Sequence, residues 1–327
     1  MQNQNIQAAI DKINSEETRS VAIVMHNKPD GDSIGSAVAL EEMLIALGKK
    51  VDLIIHNKIN KSFAPIIGEH RVERIVSPSM GKLYDLLIMV DFSDISRTIR
   101  GVERMAKFTI VIDHHTQNSP YGDIYICENY SSTGIIIFKI IEQIMPISVS
   151  MANALYMTIV ADTNNFKNSN TGHVSHEIAS KLMFIGVDIN CINRIFEDKS
   201  LEFMNLMGLT LCEIKFDRKY KITYLVVTRD DILASKVKGE EVVQLIDEIR
   251  WIKDGDITLL FIEGIRNVRI SARSKFTPVN KILEKFGGGG HPKAAGCAIE
   301  DADLYRTVDS VLAYTRKQID KISQHKK

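Results

Sequence analysis

Cysteine is scarce in this chain of 327 residues: Cys127, Cys191, Cys212 and Cys297 lie far apart, with no CxxC pair among them. That spacing excludes a zinc knuckle and a dense disulfide framework, and it fits a reducing compartment. Net charge is lacking as well. Lys and Arg total 41 and so do Asp and Glu, so no global positive field exists to hold long duplex nucleic acid through many phosphates. A nucleic-acid partner has to be short or locally gripped. No stretch approaches the ~18 uncharged apolar residues of a membrane span, and the opening MQNQNIQAAIDKINSEETRS carries no apolar run of signal-peptide length. These absences predict a soluble, cytoplasmic chain with no membrane partner. Tryptophan occurs once, at Trp251, which leaves Tyr and Phe to supply any further stacking surface. What is present is ordinary globular composition, 45% hydrophobic and 25% charged, with length enough for two domains.

Up to about residue 165 short β-branched runs alternate with helical patterns. VAIVMH (21–26), VDLIIH (51–56), YDLLIMVD (84–91) and FTIVIDHH (108–115) are apolar nearly throughout, with SIGSAVALEEMLIALGKK (33–50) between the first two. Runs apolar at every position predict strands covered on both faces, hence an α/β fold with a parallel sheet and flanking helices. Helical sequence follows from SVSMANALYMTIVAD through HEIASKLMFIGVDINCINRIFEDKS, and new strands are predicted at 221–229, 256–264 and 267–275, ahead of a glycine run. The resulting division is a first domain over 1–186, a helical connector over 187–212 and a smaller α/β domain over 213–327. The basic tail RKQIDKISQHKK reads as a solvated helix end.

Sites in parallel sheets form at the carboxyl ends of strands, and there the sequence places chemistry. His26, Asp30 and Asp32 follow the first strand, Asp91 ends the strand from residue 84, and Asp113, His114 and His115 end the strand from residue 108. Each has a bland explanation alone. Asp30 and Asp32 beside Pro29 and Gly31 are good turn formers, His26 could be a satisfied strand-end histidine, and Asp91 and Asp113 could cap following helices. Together they repel, and converging carboxylates raise one another's pKa unless a cation sits between them. Divalent ions supply that charge, and a bridging carboxylate holds two of them ~3.5–4 Å apart. Carboxylate and imidazole donors without thiolate suit manganese, magnesium or similar ions rather than structural zinc.

HNKPDGDSIGSAVAL, IMVD, VIDHH and IVADTNNF, in this order, resemble the four motifs of the DHH phosphoesterases, and FGGGGHPKAAG (286–296) resembles the signature of their DHHA1 domain. The likeness spans nearly the whole chain and is close to the nanoRNase and pAp phosphatase group. It implies that His26, Asp30 and Asp91 hold one metal ion and that Asp32, Asp91, His114 and Asp162 hold a second, with Asp91 as the bridge. It implies two divalent ions, manganese ahead of magnesium or cobalt. His115, pointing away from its neighbour if the backbone is extended, resembles the histidine that contacts the phosphate. Asp113 would orient a ligand histidine and fix its tautomer, with a plain cap as its rival. Asn164 and Asn165 depart from the family, which often has glycine after the DT pair. Two cations beside a phosphate ester acidify a shared water and neutralise charge building on the phosphoryl oxygens, so no protein nucleophile is required. The HVSH pair, His173 and His176, is read as surface, and His56, His70 and His325 have no constellation.

From Arg266 to Gly296 seven basic residues face one acid, Glu284, so the neutral whole conceals a basic module. Four glycines in a row usually mean a linker, yet His291, Pro292 and the small residues 294–296 follow at once, which suggests backbone approached closely by a ligand or helix. By the resemblance, Gly288, Gly289, Gly290 and His291 bind substrate, His291 reaches the scissile phosphate across an interdomain cleft, and Arg273 holds a second phosphate or a base, ahead of Arg269 and Lys275. The implied function is hydrolysis of very short RNA oligonucleotides to mononucleotides, and of adenosine 3′,5′-bisphosphate to AMP, without action on long duplexes. Phosphodiesterases of cyclic or linear dinucleotides share all five motifs and stay open. A manganese pyrophosphatase, which carries a different second-domain signature, and a non-catalytic nucleotide-binding module rank below. Similar proteins suggest a homodimer.

Overall fold

A computed structural model of the chain describes residues 2–27, 29–54, 59–69, 71, 83–92, 101–115 and 120–325. They form two compact units, Met1–Asp198 and Lys199–Lys327.

The first unit is built on a five-stranded parallel sheet, β1 (Ser20–Met25), β2 (Lys50–Ile54), β3 (Leu86–Val90), β4 (Thr109–Asp113) and β5 (Ile124–Cys127), in the order β2-β1-β3-β4-β5. The three central strands are buried almost throughout because both faces are covered. Val21, Ile23, Ile88, Ile110 and Ile112 pack on the side that holds most helices, while Ala22, Val24, Leu87, Met89 and Val111 join Tyr84, Phe92 and Val102 on the other. Helices α1 (Gln2–Asn14), α2 (Gly31–Ala46), α3 (Ala64–Ile67), α4 (Thr133–Ile144), α5 (Val149–Thr163), α6 (His173–Ile185) and α7 (Ile189–Glu197) complete the unit. Two glycines let the central helices approach closely. A Cβ on Gly35 would lie 2.4 Å from the Ala154 carbonyl oxygen, and one on Gly134 would lie 2.0 Å from Thr158 Oγ1. Only backbone fits at these crossings of α2 and α4 with α5.

The second unit carries α8 (Leu201–Thr210), α9 (Arg229–Ser235), α10 (Leu245–Ile249), α11 (Asn280–Glu284) and α12 (Leu304–His325) around six strands: β6 (Lys215–Asp217), β7 (Ile222–Val227), β8 (Ile257–Glu263), β9 (Asn267–Ser274), β10 (Gly289–His291) and β11 (Ala294–Glu300). Their order is β10-β11-β9-β8-β7-β6, with only β7 and β8 running parallel. Alternation divides its faces. Leu259, Phe261, Ile270 and Ala272 pack on one side with Val308 and Val311 of α12, and Leu225, Leu260 and Ile262 pack on the other with Leu245, Ile249 and Phe203.

The segment expected as a connector, 187–212, is shared out. Ile192 of α7 is buried in the core of the first unit, and Phe203 and Leu206 of α8 are buried in a core of the second. Among the described residues no helix is long and apolar enough to cross a membrane.

Candidate active site

Strand order sets the site. β1 and β3 are neighbours although β2 separates them in sequence, and such a switch point opens a crevice at the carboxyl ends of the strands. His26 leaves β1 there, Asp91 leaves β3, and Asp113, His114 and His115 come from the end of β4. Asp30 and Asp32 open α2, and Asp162 lies in the last turn of α5. All eight first-unit residues expected in the site converge.

Asp91 stands at the centre. It is a non-glycine residue at φ +61°, a conformation Asp tolerates better than most side chains, and its backbone N–H donates to the Ile112 carbonyl at 3.0 Å. The turned carboxylate divides its oxygens: Oδ2 is 3.5 Å from His26 Nε2 and Oδ1 is 3.7 Å from His114 Nε2. Asp30 Oδ2 lies 3.9 Å from His26 Nε2, while Asp162 Oδ2 and Asp32 Oδ2 lie 3.1 and 3.8 Å from His114 Nε2.

Each imidazole is held from behind. His26 Nδ1 is 2.8 Å from the Asn27 carbonyl oxygen and His114 Nδ1 is 3.1 Å from that of Tyr130. A carbonyl only accepts, so both Nδ1 atoms carry the proton and both Nε2 atoms turn toward carboxylates. His114 Nε2 is buried and makes no hydrogen bond of proper geometry. A neutral ring there sets lone pair against lone pair, an arrangement that a cation relieves. Two donor sets, His26 with Asp30 and Asp91 and Asp32 with His114 and Asp162, each bring three ligand atoms within 4.8 Å of one another. The oxygen and nitrogen donors fit a divalent cation.

The electrostatics agree. Burial raises the pKa of Asp32 and Asp91 well above the ordinary carboxylate value, and neighbouring carboxylates add to it, Asp162 for Asp32 and Asp32 for Asp91. Asp162 is raised by burial against the pull of His114. For His114, burial acts downward, but the carboxylates of Asp162 and Asp32 prevail and lift it to about 9. The field that would hold a cation therefore holds a proton on His114 in the metal-free protein.

Bland and functional explanations coexist at Asp30, whose Oδ1 caps α2 by accepting from the Ser33 N–H at 3.1 Å while Oδ2 faces His26. Asp32 shows a role that sequence reasoning missed. Its oxygens accept from the backbone N–H groups of Thr133 at 2.7 Å and Gly134 at 3.0 Å, so the start of α4 steadies the buried charge. The signal was present in SSTG (131–134), a helix-opening pattern after β5. Asp162 is fixed through its carbonyl, which accepts from Asn168 Nδ2 at 3.1 Å and Asn170 Nδ2 at 3.2 Å. Behind it Asn164, Asn165 and Phe166 all have positive φ, between 48° and 62°. Asn replaces glycine there at little cost because it accepts the left-handed region.

Asp113 differs from expectation. It is fully buried and meets His115 instead of a ligand histidine: Oδ1 accepts from His115 Nδ1 at 2.8 Å and from the His115 N–H at 3.1 Å. The tautomer of His114 is set by the Tyr130 carbonyl. His115 also does not point away from His114. Strand β4 ends at Asp113, alternation stops there, and the two rings lie 4.2 Å apart. His176 stacks on Phe166 at 5.0 Å, and His56 and His70 lie outside the described residues.

The second unit holds the remaining expected residues. The glycine run is an edge strand, not a linker. A Cβ on Gly288 would lie 2.5 Å from the Gly296 carbonyl oxygen and one on Gly290 2.5 Å from that of Ala294, while one on Gly289 would meet nothing within 4 Å. Register aligns His291 with Ala294 and Ala294 with Arg273, and likewise Gly289 with Gly296 and Gly296 with Ser271. Directly opposed residues share a face, so His291 and Arg273 flank a floor of small side chains.

A donor cluster at a switch point, joined in one chain to a basic β-rich unit, describes a class of metal-dependent phosphoester hydrolases. Residues 20–161 match the DHH family, N-terminal domain, and residues 219–319 match the DHHA1 domain. The chain belongs to the DHH/DHHA1 family. It is 25% identical over 304 residues to the bifunctional oligoribonuclease and PAP phosphatase NrnA of Thermus thermophilus, covering 91% of this chain and 90% of that one. It is 26% identical over 312 residues to a probable bifunctional oligoribonuclease and PAP phosphatase of Streptococcus mutans, covering 92% and 97%. Among solved structures, an exopolyphosphatase-related protein from Bacteroides fragilis superposes with a TM-score of 0.89 at 23% identity, covering 98% of both chains.

Proposed function

We propose that the chain is a manganese-dependent phosphodiesterase that hydrolyses very short RNA oligonucleotides to mononucleotides and removes the 3′-phosphate of adenosine 3′,5′-bisphosphate. The observation that carries this is the division of Asp91, one oxygen toward His26 and the other toward His114, which suits a carboxylate shared by two cations. His26, Asp30 and Asp91 would hold one ion, and Asp32, Asp91, His114 and Asp162 the other. Bound there, such ions supply a nucleophile at neutral pH and charge neutralisation at phosphorus. The protein's own groups do the positioning. Asp113 steers His115 through Nδ1, so that its other nitrogen can serve a phosphoryl oxygen. Asn27 and Tyr130 hold the ligand histidines in one tautomer through their carbonyls. Arg273, His291 and the glycine strand of the second unit offer a basic surface suited to nucleotide phosphates. The relatives named as oligoribonucleases and PAP phosphatases support this substrate class.

The test is a substrate panel with the purified chain and manganese: adenosine 3′,5′-bisphosphate, pApA, cyclic dinucleotides, RNAs of two to five residues, a long RNA and pyrophosphate. The reading expects the fastest turnover on the short RNAs and none on long RNA. Faster turnover of cyclic dinucleotides or of pyrophosphate would replace it.

A further inference from the structure

Trp251, the sole tryptophan, is 54% exposed. The Arg250 guanidinium lies 4.5 Å from its ring centroid. Arg250 is 3.7 Å from Asp247 Oδ1, and Arg273 of β9 is 3.4 Å from the same oxygen. One carboxylate thus spaces two guanidiniums and leaves a surplus positive charge between them. Both arginines are largely buried, with 17% and 26% of their side chains exposed, so their hydration is incomplete and an anion gains more from them than from a solvated lysine. The backbone is pinned too. Lys275 Nζ donates to the Ile252 carbonyl at 2.7 Å, tying the residues after Trp251 to the end of β9.

We propose that Trp251, backed by Arg250, is a nucleobase-stacking platform, and that Asp247 presets Arg250 and Arg273 as a two-guanidinium clamp for the adjoining phosphate of a single-stranded oligoribonucleotide. The proposal rests on the preceding reading of the substrate and deepens it. An indole can stack with any base because every base has a π face, and a cation behind the ring adds to the attraction. The platform therefore favours chains of more than one nucleotide without selecting their sequence. A mononucleotide product carries one base and one phosphate and lacks the further nucleotides of the substrate, so it makes fewer contacts and binds less well. Asp247 is a positioning residue: it touches the arginines, not the ligand.

Because Trp251 is the only indole, its emission reports the site directly. The full chain in EDTA, where hydrolysis stops, is titrated with a ribotrinucleotide, with an abasic ribose phosphate of the same length and with inorganic phosphate. Saturable quenching by the trinucleotide alone is expected. In the presence of manganese, Trp251→Ala raises KM for the trinucleotide about tenfold, or ~1.4 kcal/mol, at unchanged kcat. Trp251→Phe restores most of that loss. Asp247→Ala raises the same KM, and both alanine variants bind manganese with the wild-type stoichiometry. Tyr305→Ala, which removes an exposed aromatic from α12, changes neither quantity. A wild-type protein that fails to hydrolyse the trinucleotide overturns the substrate reading and this inference with it. Normal hydrolysis, with no quenching and a KM for Trp251→Ala within twofold of wild type, overturns this inference alone.

Discussion

Replacing Asp91 with Asn exchanges one carboxylate oxygen for an amide group and leaves the left-handed backbone intact, since Asn accepts φ near +61° as readily as Asp. The side chain keeps one acceptor oxygen and loses its charge. It can therefore face His26 or His114 but not serve as an anion between both. In the wild type, a metal present at a hundred times its dissociation constant stabilises by ~2.7 kcal/mol, which for a unit of nearly 200 residues moves the melting temperature by about 5–10 °C. In Asp91→Asn that increment disappears. The metal-free variant melts higher than metal-free wild type, because a buried carboxylate raised by burial and by Asp32 is gone. Turnover falls at least ~10³-fold, equal to ~4 kcal/mol of transition-state stabilisation. Differential scanning fluorimetry with EDTA or manganese, metal analysis after gel filtration and a trinucleotide assay read the three effects. A variant that keeps the manganese-dependent shift and turns over within tenfold of wild type would refute the bridging role.

Metal-free protein should also lose stability as pH rises. Folded-state pKa values of Asp32, Asp91 and Asp162 are raised, so their contribution is complete below ~3.8 and lost as pH climbs through the raised values. That of His114 is complete below ~6.5 and lost toward about 9. Melts in EDTA should therefore decline from pH 5.5 to pH 8.5, and the gain from manganese should be larger at pH 8.5; an equal gain at both would contradict this. Asp113→Asn should lower kcat ~10²-fold with manganese stoichiometry unchanged, measured by steady-state kinetics and metal analysis, because it loosens His115 and touches no ligand. Gly290→Ala places a Cβ 2.5 Å from the Ala294 carbonyl oxygen at φ +137°, so the second unit should lose ~1–3 kcal/mol in denaturant melts while metal binding persists.

The donor set was legible because strand-end motifs survive translation into space: apolar runs fix where β1, β3 and β4 stop, and the residues just past those stops must gather at one edge. Strand β5 escaped notice since IYIC is short, and α4 since the β-branched run of TGIIIFKIIEQI reads as strand and masks the SSTG opening, whose first helical N–H donates to Asp32, 101 residues away. Strands β10 and β11 were hidden for a different reason. Glycine and alanine carry no periodic signal, and only the close contacts at Gly288 and Gly290 reveal a paired strand. The partner of Asp113 depends on where alternation ends after β4, a matter of a single residue, and sequence boundaries are not that sharp.

The parallel sheet of the first unit behaves as a ruler. His26, Asp91 and His114 come from the ends of three adjacent strands, and adjacent strands stand ~4.8 Å apart whatever their side chains. The separation of the two donor sets on either side of the middle strand is thus inherited from backbone hydrogen bonding. Crossovers between those strands can lengthen, shorten or change sequence without altering the gauge, so diversification of such a scaffold should show in what it grips and leave the spacing of the donor sets untouched.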